Sequence, residues 1–583
     1  MVTPAEVAAA LTGPGGQYEI VVEDVLGVPL QVYKLRFASM RDLIAIADTR
    51  PDQDWVVQDR PDGTTRRITF GEHNAMVRRM SAALRDLGVE PGDRVALLSA
   101  NTVEWVVTFW ACAAIGAACV PLNAWWKSEE LEFALRDSAA MVLICDAKRW
   151  QVVRDVAGSI DSLAHVFVMD AAEPDAPARP LDDLLGVDDP GALLDVAVAE
   201  DDILAILYTS GTTGQPKGAT ITHRQALANL QNLACLNAIS AAARASGSDA
   251  ASKAPEPQGA ALLVVPLFHV TGALATMVVG YAAGTKLVLM PPGKFDPDVA
   301  MRIIEREQVT SIGGVPTVMW RIVEAPTFGK YDLSSVTRIG YGGAPAAPEL
   351  VERIKVAFPQ VRQSLSTAYG LTETASVATV NAGDSYFTHP GSVGRAVPTV
   401  EVQVVDAEGR PLPAGEVGEI ALRGPTVMMR GYWNRPDATE AAFLPGGWFR
   451  TGDIGRLDED GFLYLVDRAK DMIIRGGENV YCVEVEHVLH EHPDVLDVAV
   501  VGVPHRELGE EVKAVVQLRP GSTATAEDIR EHAARHLAAF KVPEHVEIRD
   551  QPLPRNPAGK ILKNMLRGDG TAFAPSADDD SAL

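Results

Sequence analysis

Tyr208-Thr209-Ser210-Gly211-Thr212-Thr213-Gly214-Gln215-Pro216-Lys217-Gly218 gathers three glycines, four aliphatic hydroxyls and one lysine into eleven positions. It follows the apolar run Ile203 to Leu207 and precedes a helix-like segment that starts near His223. Glycine lets backbone N–H groups approach an anion closely, and the hydroxyls donate further hydrogen bonds. Such a loop can wrap a polyphosphate. Its spacing is not that of the P-loop, because the second glycine comes three positions after the first and the lysine three after that. The bland alternative is a flexible turn between a strand and a helix.

Outward from this loop, short β-branched or apolar runs alternate with helical patterns, as at Arg94 to Leu98, Met141 to Cys145, Ala261 to Val265 and Lys286 to Leu289. That alternation predicts an α/β fold with largely parallel sheets. From about Val400 the pattern changes. Val400 to Val405 and Gly418 to Arg423 alternate like strands around Asp406-Ala407-Glu408-Gly409 and Pro413-Ala414-Gly415, which predicts an antiparallel, barrel-like section. Beyond Asp467 to Asp471 a compact pattern follows: a helix near Val483 to His490, strands at Val495 to Val503 and Glu511 to Leu518, and a helix at Ala526 to Leu537. This predicts a small α+β domain of about one hundred residues. The expected organisation is therefore a large N-terminal domain over 1–469, a mobile C-terminal domain over 470–568 and a disordered tail over 569–583. A surface insertion is expected at 241–258, which is rich in Ala, Ser, Gly and Pro.

Composition narrows the classes. The 583 residues are 47% apolar and 22% charged, enough for large cores. A net charge of −25 argues against nucleic acid and anionic membrane as main partners. The five cysteines, Cys112, Cys119, Cys145, Cys235 and Cys482, show no metal or redox spacing and read as small buried residues in a reducing compartment. No basic-then-apolar leader opens the sequence, so a cytoplasmic location is expected. The uncharged segment Trp105 to Trp126 is long enough to span a bilayer, but Gly116 and Pro121 divide it into a buried helix and a buried strand. Gln258 to Thr285 is divided in the same way, so no integral span is expected, while peripheral membrane association stays open.

Four further segments could complete a nucleotide site. Tyr369-Gly370-Leu371-Thr372-Glu373-Thr374 offers Glu373, a hard oxygen ligand of the kind that bridges Mg²⁺ to substrate phosphates. Trp448-Phe449-Arg450-Thr451-Gly452-Asp453 offers a carboxylate that can accept ribose hydroxyls, and Asp467-Arg468-Ala469-Lys470-Asp471 a charged junction. Pro554-Arg555-Asn556-Pro557-Ala558-Gly559-Lys560-Ile561 sets one lysine after a rigid Pro/Gly loop. Taken singly, these could be a surface carboxylate, a structural ion pair and a solvated lysine.

Together, in order and spacing, the five segments resemble the adenylate-forming superfamily of acyl-CoA synthetases, peptide-synthetase adenylation domains and luciferases. The resemblance spans about Leu43 to Arg567. It includes Gly92-Asp93-Arg94-Val95, Gly116 to Asn123, Pro266-Leu267-Phe268-His269-Val270-Thr271-Gly272 and Gly342-Gly343-Ala344-Pro345. It implies that Thr209, Ser210, Gly211, Thr212, Thr213, Gly214 and Lys217 bind the β- and γ-phosphates of ATP. Gly343, Ala344, Pro345, Tyr369 and Gly370 would frame the adenine, with Tyr369 stacking on it. Thr372 would contact the α-phosphate, Glu373 would hold Mg²⁺, and Asp453 and Arg468 would bind the ribose. Lys560 would reach the α-phosphate and the substrate carboxylate. His269 and Gly342 would border the acyl pocket, Lys470 would be the hinge of the C-terminal domain, and Gly476, Gly477 and Glu478 would help form the pantetheine tunnel of coenzyme A.

Within the superfamily, Arg475-Gly476-Gly477-Glu478-Asn479-Val480-Tyr481 and the Pro266 to Gly272 segment resemble bacterial fatty-acyl-CoA ligases. Cys482 stands where relatives often carry proline. The expected reaction joins a medium- or long-chain carboxylic acid to CoA at the expense of ATP, releasing pyrophosphate and AMP. The alternatives are an aryl- or steroid-side-chain-CoA ligase, acyl transfer to a carrier protein, and a nucleotide-binding protein without catalysis. Gly272, Gly280 and Gly284 could leave room for an acyl chain or serve helix packing. The partners expected are the acid, ATP and CoA.

Overall fold

The computed structural model describes residues 3–209, 216–245, 257–343, 348–427, 430–468, 471–475, 478–506, 508–556 and 560–567. Ser210 to Gly214, Ala344, Pro345, Lys470, Gly476 and Gly477 lie outside the described residues, as do most of the expected insertion and the whole 569–583 tail.

Among the described residues one sheet has seven strands. Its order is Lys217–Thr222, Ile203–Thr209, Ala118–Pro121, Arg94–Leu98, Val142–Asp146, His165–Met169 and Arg179–Pro180. All its neighbours run parallel except the first pair, which is an antiparallel hairpin with Thr209 opposite Lys217. The hydroxyl-rich loop is thus the connection of a hairpin, and a strand intervenes before the helix His223–Ala245. That helix also takes in 241–245, the start of the expected insertion.

A second sheet carries the parallel strands Asp54–Asp59, Lys286–Leu289, Ala260–Leu263, Ser311–Gly314, Arg338–Gly342 and Leu365–Tyr369. The antiparallel section expected from Val400 is present in strands Glu401–Val405, Gly418–Arg423, Trp448–Leu457 and Leu463–Arg468. It joins the second sheet edge-on through Thr379–Ala382 and Ser392–Ala396. C-terminal to it, Val495–His505, Gly509–Leu518 and His545–Arg549 form a sheet packed by helices Cys482–His490 and Ala526–His536.

The main core lies around helix Val103–Ile115, all of whose residues are buried. Thr102 caps its first turn by accepting the Trp105 amide, and Gly116 ends it at φ 71°. Glu104, its one charged residue, pairs with Arg66. The uncharged stretch is therefore a core helix followed by a core strand, and among the described residues no helix is long and apolar enough to cross a membrane. The three glycines downstream serve packing. A Cβ on Gly272 would stand 2.3 Å from the Pro266 carbonyl oxygen, Gly280 faces Trp55, and Gly284 caps its helix at φ 72°.

Candidate active site

The site gathers at the C-terminal ends of the second sheet's central strands, the usual place for ligands on parallel sheets. Strand Arg338–Gly342 ends in Gly342 and Gly343. A Cβ on Gly342 would lie 2.8 Å from the Ala368 carbonyl oxygen, and Gly343 sits at φ 76°. The adjacent strand ends in Tyr369, buried among Ala219, Val377 and Ala378. Its hydroxyl donates to Asp453 Oδ2 at 2.8 Å. Asp453 opposes Arg468 in the antiparallel register, with Arg468 Nε 3.5 Å from Oδ1. One oxygen of the expected ribose carboxylate is therefore held by Tyr369 and the other faces a guanidinium.

After Tyr369 the chain doubles back. A Cβ on Gly370 would stand 1.5 Å from the Ser376 carbonyl oxygen, so only glycine fits. Thr374 Oγ1 accepts the Leu371 amide and donates to the Leu371 carbonyl, closing the short 3₁₀ turn Thr372–Thr374. Ala375 and Ser376 follow at φ 50° and 106°, strain of the kind that collects at functional sites. The turn presents Glu373. Burial raises its carboxyl above the ordinary value, while a hydrogen bond from Tyr432 Oη to Oε1, 2.8 Å, works the other way. The ammonium of Lys217 lies 5.3 Å from the centre of the Tyr432 ring, within cation–π range. Tyr432 thus ties the lysine of the opening loop to the candidate metal ligand. Nothing local in Gly431-Tyr432-Trp433-Asn434 signals this, because its partner Glu373 is 59 positions away.

His269 lies on the loop after strand Ala260–Leu263. Asn101 braces that loop: its side-chain amide donates to the Val265 carbonyl at 3.0 Å and accepts the Leu267 amide at 2.8 Å. The neighbouring Phe268 ring meets Trp125 edge to face, with centroids 5.2 Å apart. His269 is pushed down to about 4, first by burial and then by the positive charge of Lys560. Lys560, from the C-terminal segment, therefore lies near enough to His269 for its charge to act on the imidazole. Asn556 shapes its approach, since Oδ1 accepts the Lys560 amide and the Asn556 amide donates to the Lys560 carbonyl. Glu478 is exposed on the short strand Glu478–Val480, opposite Arg475.

At the junction of the two parts, Asp467 Oδ2 accepts the Cys482 amide at 2.5 Å, at the N-terminus of helix Cys482–His490. Cys482, the residue that departs from proline, supplies the N–H that proline lacks. Burial raises Asp467 to about 6. Nearby, Lys563 pairs with Glu486 at 2.7 Å. Although burial pulls Lys563 down, Glu486, Cys482 and Asp467 hold it above its ordinary value.

Among the described residues no three His, Cys, Asp or Glu side chains are grouped to hold a metal. Glu373 alone suits a hard cation whose remaining ligands are substrate phosphates and water.

A buried carboxylate turn, a Tyr–Asp–Arg cluster and a lysine from the C-terminal segment fit an enzyme that activates carboxylic acids as adenylates. The family comparison agrees. Residues 44–433 match the AMP-binding enzyme family and residues 484–560 match the AMP-binding enzyme C-terminal domain, and the chain belongs to this family. It is 36% identical over 503 residues to feruloyl-CoA synthase of Amycolatopsis sp, covering 86% of this chain and 93% of that one. It is 35% identical over 517 residues to a long-chain-fatty-acid–CoA ligase of Mycobacterium tuberculosis, covering 87% and 94%. The structure of the anthranilate CoA ligase AuaEII in complex with anthranoyl-AMP superimposes with a TM-score of 0.79 at 27% identity, covering 92% and 97%. The chain is an AMP-forming acid–thiol ligase of the acyl- and aryl-CoA class.

Proposed function

We propose that this ligase joins a medium- or long-chain fatty acid to CoA, with Mg²⁺ as the metal. The observation that carries the reading of the site is the approach of Lys560 to His269, which follows one strand of the sheet in which another strand leads into Glu373, with Tyr369 linking that second strand to Asp453. A carboxylate attacking the α-phosphate of ATP brings two anions together, so cationic clamping is required. Lys560 bridges the acid's carboxylate and the α-phosphate, and its standing charge needs no unusual titration. Thr209 to Gly214 and Lys217 hold the β- and γ-phosphates and orient the departing pyrophosphate. Glu373 would hold Mg²⁺, which would supply charge neutralisation there. Asp453 and Arg468 hold the ribose, and Gly343 to Pro345 with Tyr369 frame the base. Neutral His269 adds no second positive charge beside Lys560.

The thioester step needs Lys560 withdrawn and the thiol of CoA admitted through Gly476, Gly477 and Glu478. Turning the C-terminal domain about Lys470 achieves both with one site. Room for an acyl chain is supported at Gly313, where, among the described residues, a Cβ would meet only Thr276 Oγ1, at 4.0 Å. An aromatic acid is the second reading, favoured by the Trp125–Phe268 pair beside His269. Transfer to a carrier protein would use the same first step.

The test is a panel of carboxylic acids, from butanoate to hexadecanoate with ferulate, benzoate and a steroid-side-chain acid, assayed with ATP, Mg²⁺ and CoA for acyl-CoA and AMP. Highest turnover with acids of eight or more carbons is expected. A preference for ferulate would establish the aryl reading, adenylate formation without CoA turnover would favour a carrier protein, and no pyrophosphate exchange with any acid would overturn the ligase reading.

A further inference from the structure

A second contact joins the C-terminal unit to the large one. Arg519 follows strand Gly509–Leu518 and is fixed by its own unit. Its backbone N–H donates to the Asp494 carbonyl at 2.8 Å and its Nε to the Pro493 carbonyl at 3.1 Å. The two Nη atoms therefore project as a preset fork. Nη2 meets Glu349 at 3.3 Å and Nη1 meets Glu324 at 3.7 Å, both in the large unit. Arg353 binds the same two carboxylates, at 2.8 Å from Glu349 and 3.2 Å from Glu324, and lies over the Trp320 ring. Glu324 stands at the C-terminus of helix Pro316–Val323, where the helix dipole disfavours a carboxylate, so it gains from cations.

We propose that Arg519 is a positioning residue for adenylate formation: its fork to Glu324 and Glu349 holds the C-terminal unit in the orientation that delivers Lys560 to His269, and it parts before the thiol step. The proposal rests on the ligase reading above. Half-exposed ion pairs are individually weak, which suits a contact made and broken in every turnover. Two of them bias the orientation by about three- to tenfold, and salt weakens them because the charges are accessible.

The test compares wild type with Arg519→Gln in both half-reactions. With dodecanoate as probe acid (ferulate if fatty acids fail), Arg519→Gln should lower ATP–pyrophosphate exchange about three- to tenfold with the KM for ATP little changed. Thioester formation from supplied dodecanoyl-adenylate (feruloyl-adenylate with ferulate) should be equal or faster. Arg519→Glu should lose more, and Glu349→Lys in the same chain should restore part of the loss. Exchange should also fall more steeply with salt in wild type than in Arg519→Gln. Equal loss in both half-reactions, no loss, or no rescue overturns the proposal. A readout independent of catalysis uses spin labels at Val356→Cys and Glu527→Cys, since the native cysteines are all buried. Arg519→Gln should shift the inter-label distance distribution away from the docked value, and an unchanged distribution overturns the proposal even if no acid supports exchange in wild type.

Discussion

Lys560 and His269 cannot both be charged in one recess without strong repulsion, and the fold resolves this in favour of the lysine. With His269 pushed down to about 4, burial being the main cause, its imidazole is neutral throughout the physiological range. An NMR titration should find its midpoint well below 6. The pH–rate profile of adenylation should show no inflection from His269 between pH 5 and 8. Lys560→Ala should move that midpoint upward by removing the nearby positive charge, and an unmoved midpoint would separate the two residues. Tyr432 carries a second residue-scale expectation. Tyr432→Phe deletes the donor to Glu373 while keeping the ring under Lys217. The Mg²⁺ concentration for half-maximal exchange should rise about three- to tenfold, as expected for a lost hydrogen bond to a charged group. No rise would mean that Tyr432 does not hold the carboxylate. Neither relationship is legible in a local motif, because each depends on side chains that only tertiary folding brings together.

At the scale of elements, the Gly370 turn and the Asp467 cap make distinct demands. Gly370→Ala would force a Cβ into the Ser376 carbonyl. The turn that presents Glu373 must then open, and adenylation should fall at least a hundredfold while the global fold survives by circular dichroism. Retained activity would show that the turn is not needed. Asp467 bears on pH. Its carboxyl is raised to about 6 from an ordinary 3.8, so the folded chain holds the proton more tightly than the unfolded one. The stability it contributes is full below about pH 4 and is lost as pH rises through about 6. This amounts to on the order of 3 kcal/mol. The Tm of Asp467→Asn should therefore gain on that of wild type between about pH 4 and 6, and parallel Tm curves would contradict the assignment. Most elements were legible from sequence period: Arg94–Leu98, Lys286–Leu289 and Gly418–Arg423 fall where alternation placed them. The hairpin strand Lys217–Thr222 was not, because Lys217-Gly218 reads locally as the end of a loop. A Cβ on Gly218 would meet Ile206 at 2.7 Å, so this glycine serves close strand packing as well as the loop. The three glycines after His269 gave no sign of whether they packed or lined a pocket, since that depends on the loop folding the Pro266 carbonyl over Gly272 and on Trp55 and Arg50, which are distant in sequence.

For the whole molecule, the central claim is that one site performs two steps by exchanging what the C-terminal unit presents. Adenylation needs Lys560 at His269, and the thiol step needs it gone. The paired contacts described above, Asp467 to the Cys482 amide near the junction and Arg519 to Glu324 and Glu349, fit a docked orientation held at two points. The most direct measurement runs both half-reactions on Lys560→Ala and Lys470→Pro. Lys560→Ala should lose about a hundred- to a thousandfold in acid-dependent ATP–pyrophosphate exchange, as for removal of a key charge-stabilising donor. It should largely keep thioester formation from supplied acyl-adenylate. Lys470→Pro, by stiffening the hinge, should do the reverse. Equal losses in both half-reactions for either variant would contradict the account.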